Sequence, residues 1–140
     1  ILIMINESLN ITTNNIIEKN ICSIPFSHFY IDNIFPDNLF ESIHNNWPEL
    51  NFFENGKKLG INIELERFYF NLDKINIKKL AGEKRFFWEK IEKWLTSDKL
   101  VISLLKKYKK DLDYLPENNI ENHYLQELKP KIRFNTSLVM

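Results

Sequence analysis

The sequence predicts an α+β fold in which short strands and amphipathic helices alternate without an internal repeat. Three segments carry apolar residues at helical spacing, and three others are rich in the aromatic and β-branched residues typical of strands. The chain has 140 residues, of which 44% are hydrophobic and 27% charged, and this balance suits one folded domain with a real core. The predicted order is strand, helix, strand, helix, helix, strand.

The first part of the chain carries the weakest pattern. Residues 1–23 mix apolar residues with Asn and Thr without a steady period, so we expect an irregular lead-in there. The domain itself is then expected over residues 24–140. Its first strand is predicted in "PFSHFYID", an aromatic and β-branched run bounded by Pro25 and by Asp32 and Asn33.

A helix is predicted directly after that strand, in "FPDNLFESIHNNWP". Pro36 suits the first helical turn, and Asp37 lies near the positive end of the helix dipole. Pro48 ends the helix because its ring cannot continue the hydrogen-bond pattern. The apolar positions expected on one helix face are Leu39, Phe40, Ile43 and Trp47.

A second strand, with a bend near Arg67, is predicted in residues 61–72, where apolar and polar residues partly alternate. Two helices follow, and the second begins at an N-cap provided by Thr96 or Ser97. Their apolar stripes are Phe87, Trp88, Ile91, Trp94 and Leu95 in the first, and Leu100, Val101, Leu104, Leu105 and Tyr108 in the second. Residues 111–129 predict a long connection or a broken helix, and "KIRFNTSLV" predicts a closing strand.

The charge balance and composition bear on which classes of binding partner are expected. Nineteen basic residues balance nineteen acidic ones, so no overall field attracts nucleic acid or an anionic membrane, and we predict neither as a partner. The basic-aromatic run "KKYKK" (106–110) is explained by a solvated helix end, whose cations lie near the negative end of the dipole; a nucleic-acid contact is the alternative. Single-cysteine usage and the lack of a recognisable leader pattern predict a cytoplasmic location.

The sequence contains no local motif for metal binding or nucleophilic catalysis. His28, His44 and His123 are isolated from one another, and none begins a His-x-Asp or His-x-Glu pair. One cysteine excludes a zinc cluster of the Cys/His type, and Cys22, in an apolar context, is predicted to be a buried, inert thiol. Three glycines are too few for a phosphate-cradling loop.

Four segments nevertheless follow one another in a familiar order: "PFSHFYIDNIFPDNLFESIHNNWPEL", "FFENGKKLGINIELERFYFNL", "FFWEKIEKWLTSDKLVISLLKKY" and "KIRFNTSLV". Together they resemble the opening half of Fe(II)/2-oxoglutarate-dependent dioxygenases of the prolyl 4-hydroxylase-like type. Such proteins begin with a strand of the form Pro-Phe-Pro-His, followed by apolar residues and Asp, and continue with a helix that ends near Trp-Pro. The residues that match are Pro25, Phe26, His28, Ile31, Asp32, Pro36, Leu39, Phe40, Trp47 and Pro48.

The resemblance implies the N-terminal helices and first strands of a double-stranded β-helix, or jelly roll, in incomplete form. It also implies Fe(II) held by a His-x-Asp pair and a distant His, and 2-oxoglutarate bound by a later basic residue. The chain contains none of those positions, so no cofactor is assigned to it and we expect it to be inactive alone. Arg67 and Arg133 are predicted to face the substrate pocket, on their strand position and charge.

Two functions remain open from the sequence. In the first, the chain is an N-terminal fragment of such a dioxygenase, an oxidoreductase that hydroxylates a peptide or small molecule when complete. A start at Ile1 and a strand-like stop at Met140 lead us to expect that both ends are cut. In the second, the chain is a non-catalytic α+β binding module, and the exposed edge of its last strand (131–139) pairs with a protein partner.

Overall fold

The computed structural model describes residues 2–57, 67–112 and 118–140, which combine helices with one three-stranded antiparallel sheet. This arrangement confirms the predicted α+β class. In chain order the helices and strands are α1 (Leu2–Glu18), α2 (Asp37–Asn45), β1 (Glu54–Asn55), β2 (Phe68–Asn71), α3 (Lys74–Ile77), α4 (Gly82–Leu95), α5 (Asp98–Lys107), α6 (Ile120–His123) and β3 (Ser137–Val139). Among these described helices, none combines the length and the apolar character needed to cross a bilayer.

The chain divides into two compact units. The first unit contains Ile1–Ser42 and Thr96–Ile132, and it is built from helices. The second unit contains Ile43–Leu95 and Arg133–Met140, and it holds the sheet together with α3 and α4.

Helix α1 in the first unit corrects the expectation of an irregular lead-in over residues 1–23. Its buried stripe mixes apolar and small polar side chains: Ile5, Ser8, Leu9, Thr12, Thr13 and Ile16. The hydroxyls of Thr12 and Thr13 donate to the carbonyl oxygens of Ser8 and Leu9, at 2.8 and 2.9 Å, so their burial leaves no donor unsatisfied. A search for apolar periodicity misses this helix because threonine and serine occupy part of the stripe.

The strand predicted in "PFSHFYID" is also wrong. Cys22 and His28 exchange two backbone hydrogen bonds, at 2.7 and 2.8 Å, and these close a short loop in place of a strand. Ile24, Phe26 and Tyr30 are largely exposed on this loop. Aromatic and β-branched residues favour a strand only where a neighbouring strand packs against them, and the described residues supply no such neighbour here.

Helices α2, α4 and α5 confirm the three predicted helices. Ser97 caps α5 as expected, because its side chain accepts a hydrogen bond from the Leu100 N–H. One residue of α2 differs from the prediction, since Phe40 is 65% exposed and lies off the buried face that contains Leu39.

The broken helix predicted in residues 111–129 is seen as α6 followed by a π-helical turn (Tyr124–Leu128), while residues 113–117 lie outside the described residues. The strand predicted over 61–72 is confirmed as β2, and its first part, 61–66, also lies outside the described residues. The closing strand is confirmed as β3, which is shorter than predicted.

Candidate functional site

A cluster of aromatic rings supports the sheet in the second unit. Trp88 of α4 is 2% exposed, and its Nε1–H donates to the carbonyl oxygen of Asn46 at 2.7 Å. Trp47 meets the Trp88 ring edge-on at 6.2 Å between centroids, and Phe87 meets the same ring edge-on at 5.2 Å. The segment after α2 is thereby fixed to α4 by both packing and a hydrogen bond.

The same cluster continues into the sheet. Phe53 stacks on Trp47 at 6.1 Å and contacts Phe70 of β2 at 5.7 Å. Phe70 is only 1% exposed, so one face of β2 is closed by these rings. The tryptophan and proline of the "NNWPEL" segment therefore lie in the part of the unit that braces the sheet.

The register of the strands defines the opposite face of the sheet. Tyr69 lies beside Glu54 on one neighbouring strand and Val139 on the other, and Asn71 lies beside Ser137. Because side chains alternate along a strand, these residues face away from Phe70. We call this set the open sheet face: Glu54, Tyr69, Asn71, Ser137 and Val139. One direct contact joins two of its members, since the Ser137 hydroxyl donates to Oδ1 of Asn71 at 2.7 Å.

The two predicted substrate-binding arginines are both exposed, and they lie at opposite ends of the β2–β3 ladder. Arg67 directly precedes the Phe68–Met140 hydrogen-bonded pair, and its carbonyl oxygen accepts from the Gly56 N–H at 2.8 Å. Arg133 precedes β3 at the other end, where Leu72 bonds to Thr136. The structure therefore does not bring the two guanidinium groups into one cluster.

Strand β3 lies at an edge of the described sheet, whose order is β1-β2-β3. The backbone groups of Met140 bond to β2, and so does the carbonyl of Thr136. In an antiparallel ladder the intervening odd-numbered residues direct their N–H and C=O groups the other way. Ser137 and Val139 therefore present backbone donors and acceptors along this edge.

A trio of titratable side chains lies in the first unit. The carboxylate of Asp98 accepts from Nζ of Lys129 at 2.9 Å and from the Tyr124 hydroxyl at 3.1 Å. The Lys129 hydrogen bond holds the pKa of Asp98 below 3.8, helped by Tyr124 and opposed by burial. Burial, with Asp98 adding to it, raises the pKa of Tyr124 above 10.0, and Asp98 raises that of Lys129 above 10.5. These contacts tie α5 to the turn after α6, which is a structural role.

Metal-binding donors are scattered among the described residues. Within residues 2–57, 67–112 and 118–140, no three His, Cys, Asp or Glu side chains are grouped so that they could hold a metal ion. His28 is engaged locally, with Nδ1 at 2.7 Å from the carbonyl oxygen of Phe26. Cys22, expected to be buried, is an exposed free thiol, because the loop that it closes lies at the surface.

The sequence alone did not predict that the residues of the open sheet face are neighbours. Its signal was present in two short stretches, "RFYFN" (67–71) and "RFNTS" (133–137), which both place Arg, Phe and polar residues near the ladder. Register is a long-range property, however, so neither stretch alone shows which side chains become neighbours.

Comparison with known proteins adds no relative: no protein-family model, no curated protein and no solved structure matches this chain.

Proposed function

We propose that the chain forms the N-terminal bracing part of an Fe(II)/2-oxoglutarate-dependent dioxygenase of the prolyl 4-hydroxylase-like type. The complete domain would hydroxylate a peptide or a small molecule. The observation that supports this most is the aromatic cluster. Trp47 and Trp88, which lie in two separate segments of the resemblance, meet in one cluster behind the sheet.

The arrangement of the second unit suits a bracing role. Phe53, in the α2–β1 connection, packs on the Phe70 face of the sheet, and Trp47 joins Phe53 to Trp88 of α4. These rings leave the open sheet face uncovered. In a jelly roll, one sheet face must line the interior that holds the ligand. We propose that the open sheet face lines that interior and that β2 and β3 belong to the first strands of the jelly roll.

The residues described here do not fit an iron centre, because no three suitable donors come together in them. A facial triad needs two histidines and one carboxylate around a single point. We therefore propose that the iron ligands and the basic residue for 2-oxoglutarate are supplied by polypeptide that follows Met140. No catalytic step is assigned to the side chains of this chain.

Arg67 and Arg133 keep a proposed role in binding substrate. A guanidinium group binds a carboxylate or a polarised carbonyl through a planar pair of N–H donors. Arg67 directly precedes β2, and the alternation of that strand, continued by one residue, would direct its side chain to the side of Tyr69 and Asn71, which is the open sheet face. In the complete enzyme, Arg67→Gln is expected to raise KM for substrate about tenfold, the loss expected for a charge-assisted contact, whereas the exposed α4 variant Arg85→Gln is expected to leave KM unchanged.

The reading frame downstream of codon 140 tests the proposal. We expect it to continue and to encode a His-x-Asp pair, a later His and a basic residue. A frame that stops, or one that continues without those residues, would overturn the proposal.

A second function has one specific observation in its favour, namely the edge position of β3. Exposed strand edges pair with other chains, so a binding module would add a partner strand along Ser137 and Val139. Val139→Pro removes an outward N–H and leaves the bonds of Met140 to β2 intact, whereas Val139→Thr keeps that N–H. If the edge associates, sedimentation will show self-association of the wild type and of Val139→Thr, and loss of association in Val139→Pro. A monomeric wild type would count against this use of the edge.

A further inference from the structure

The first unit contains a groove of about 700 Å³ whose lining is strongly basic. Its lysines come from two distant parts of the sequence: Lys19, Lys106, Lys107, Lys109 and Lys110. Among the described lining residues, Asp111 supplies the one carboxylate, and Ser23 and Ser27 add hydroxyls. This concentration of charge is local, because the chain as a whole has a formal net charge of zero.

Lys107 builds one wall of the groove. Its Nζ donates to the carbonyl oxygens of Ile17, at 3.3 Å, and of Lys19, both at the end of α1. The same ammonium group lies 4.9 Å from the centroid of the Phe29 ring. Lys107 is thus committed to joining α5 to the end of α1, where a cation also suits the negative pole of the helix dipole.

Two further contacts hold the loop that contains Ser23 and Ser27 against the end of α5. The Ser27 hydroxyl donates to Oδ1 of Asp111 at 2.6 Å, and the rings of Phe29 and Tyr108 meet at 6.0 Å. The loop closed by Cys22 and His28 is therefore attached to the residues that follow α5. The groove exists before any ligand enters it, so a ligand need not organise it.

The helix dipole alone does not account for this lining. It explains Lys106 and Lys107, which lie in the last turn of α5. It also suits Lys19, which directly follows α1, but it does not explain why Lys19 and Lys110 share one groove, since like charges held together repel one another. Among the described residues, no carboxylate forms an ion pair with Lys19, Lys106 or Lys110.

We propose that this groove binds a small anion carrying two or more phosphate groups. Lys19, Lys106 and Lys110 would neutralise the phosphates, and the Ser23 hydroxyl would donate to a phosphate oxygen. The volume lies within the range of small-molecule sites, roughly 300–1,000 Å³. Among the described residues, those that line the groove include no aromatic ring, and base stacking needs such rings; this lining favours a small ligand over single-stranded nucleic acid.

Calorimetric titration of the full chain with inorganic triphosphate tests this proposal, which stands independently of the dioxygenase. We expect one binding site whose affinity falls as salt rises. The double variant Lys106→Gln/Lys110→Gln is expected to weaken binding at least about tenfold, because two charge-assisted contacts are lost. The matched control Lys74→Gln/Lys93→Gln, which removes two exposed lysines of the second unit, is expected to bind like the wild type.

The variant Asp111→Asn is a second test, in which the affinity for triphosphate is expected to rise. It removes the carboxylate that faces the lysines and keeps an oxygen able to accept from Ser27, so triphosphate should bind several times more tightly. The proposal is overturned if triphosphate produces no saturable heat, or if the control variant loses as much affinity as the groove variant. It is also overturned if a single-stranded oligonucleotide binds far more tightly than triphosphate through the same lysines.

Discussion

The two units bury different kinds of side chain in their cores. The first unit buries one large ring, that of Tyr124, but otherwise aliphatic residues together with hydroxyls, and Thr12 and Thr13 of α1 are almost fully enclosed. The second unit buries large rings, with Trp88 and Phe70 at 2% and 1% exposure. The difference shows that a helix face with buried aromatic rings can be recognised from the sequence, whereas a helix face with buried threonines cannot.

The largest effect that sharpens this comparison is expected at Trp88. Trp88→Ala should destabilise the protein by about 3–5 kcal/mol, because it leaves a large cavity and removes the hydrogen bond from the indole to the Asn46 carbonyl. Phe86→Ala, on the exposed side of the same helix, should cost less than about 1 kcal/mol. Urea unfolding followed by circular dichroism measures both. Equal losses in the two variants would show that the ring cluster does not brace the second unit.

A smaller effect is expected in the first unit at Tyr124. Tyr124→Phe keeps the buried ring and removes the hydrogen bond to Asp98, so about 1 kcal/mol of stability should be lost. Tyr30→Phe, at a residue that is 71% exposed, is the matched control and should be neutral. Urea unfolding midpoints measure the difference. A neutral Tyr124→Phe would show that the hydrogen bond from Tyr124 to Asp98 does not stabilise this unit.

The trio of Asp98, Tyr124 and Lys129 in the first unit should make stability depend on pH. The pKa of Asp98 is lowered, so its contribution is present above its ordinary value of 3.8 and is lost as the pH falls through the folded value. The pKa values of Tyr124 and Lys129 are raised, so their contributions are present below about pH 10 and are lost at higher pH. Asp98→Asn should flatten the stability profile at both ends, as measured by urea midpoints across pH. If the loss of stability at low pH were the same in Asp98→Asn as in the wild type, the contacts of Asp98 with Lys129 and Tyr124 would not stabilise the fold.

The smallest effect is expected for the ion pair between Arg85 and Glu89 on α4. Their atoms lie 2.9 Å apart with about half of each side chain exposed, so Glu89→Gln should cost only about 0.3–0.5 kcal/mol. Adding salt should reduce the difference between the wild type and this variant. A loss above 1 kcal/mol, read from the same unfolding curves, would show that surface charge contributes more to the second unit than its rings suggest.

Much of the second unit could be predicted from the sequence. The stripe that contains Trp88 follows helical spacing, which is a local signal. The pairing of Tyr69 with Glu54 and Val139 could not be predicted, because register depends on contacts between distant parts of the chain.

Less of the first unit could be predicted. Helix α1 was missed because Thr12 and Thr13 bury their hydroxyls by donating to the helix's own carbonyls. The basic groove was also not predicted. Lys19 and the lysines of the "KKYKK" run become neighbours only when α1 and α5 pack side by side. In both cases the sequence contains the residues, and the fold decides which of them become neighbours.

The proposal that this chain braces a dioxygenase whose iron ligands lie elsewhere is tested most directly by succinate release from 2-oxoglutarate. The chain alone should release none in the presence of Fe(II), ascorbate and O₂. The same chain extended by the coding sequence that follows Met140 should release succinate, and chelation of iron should stop it. Succinate from residues 1–140 alone, or none from the extended protein, would contradict the account.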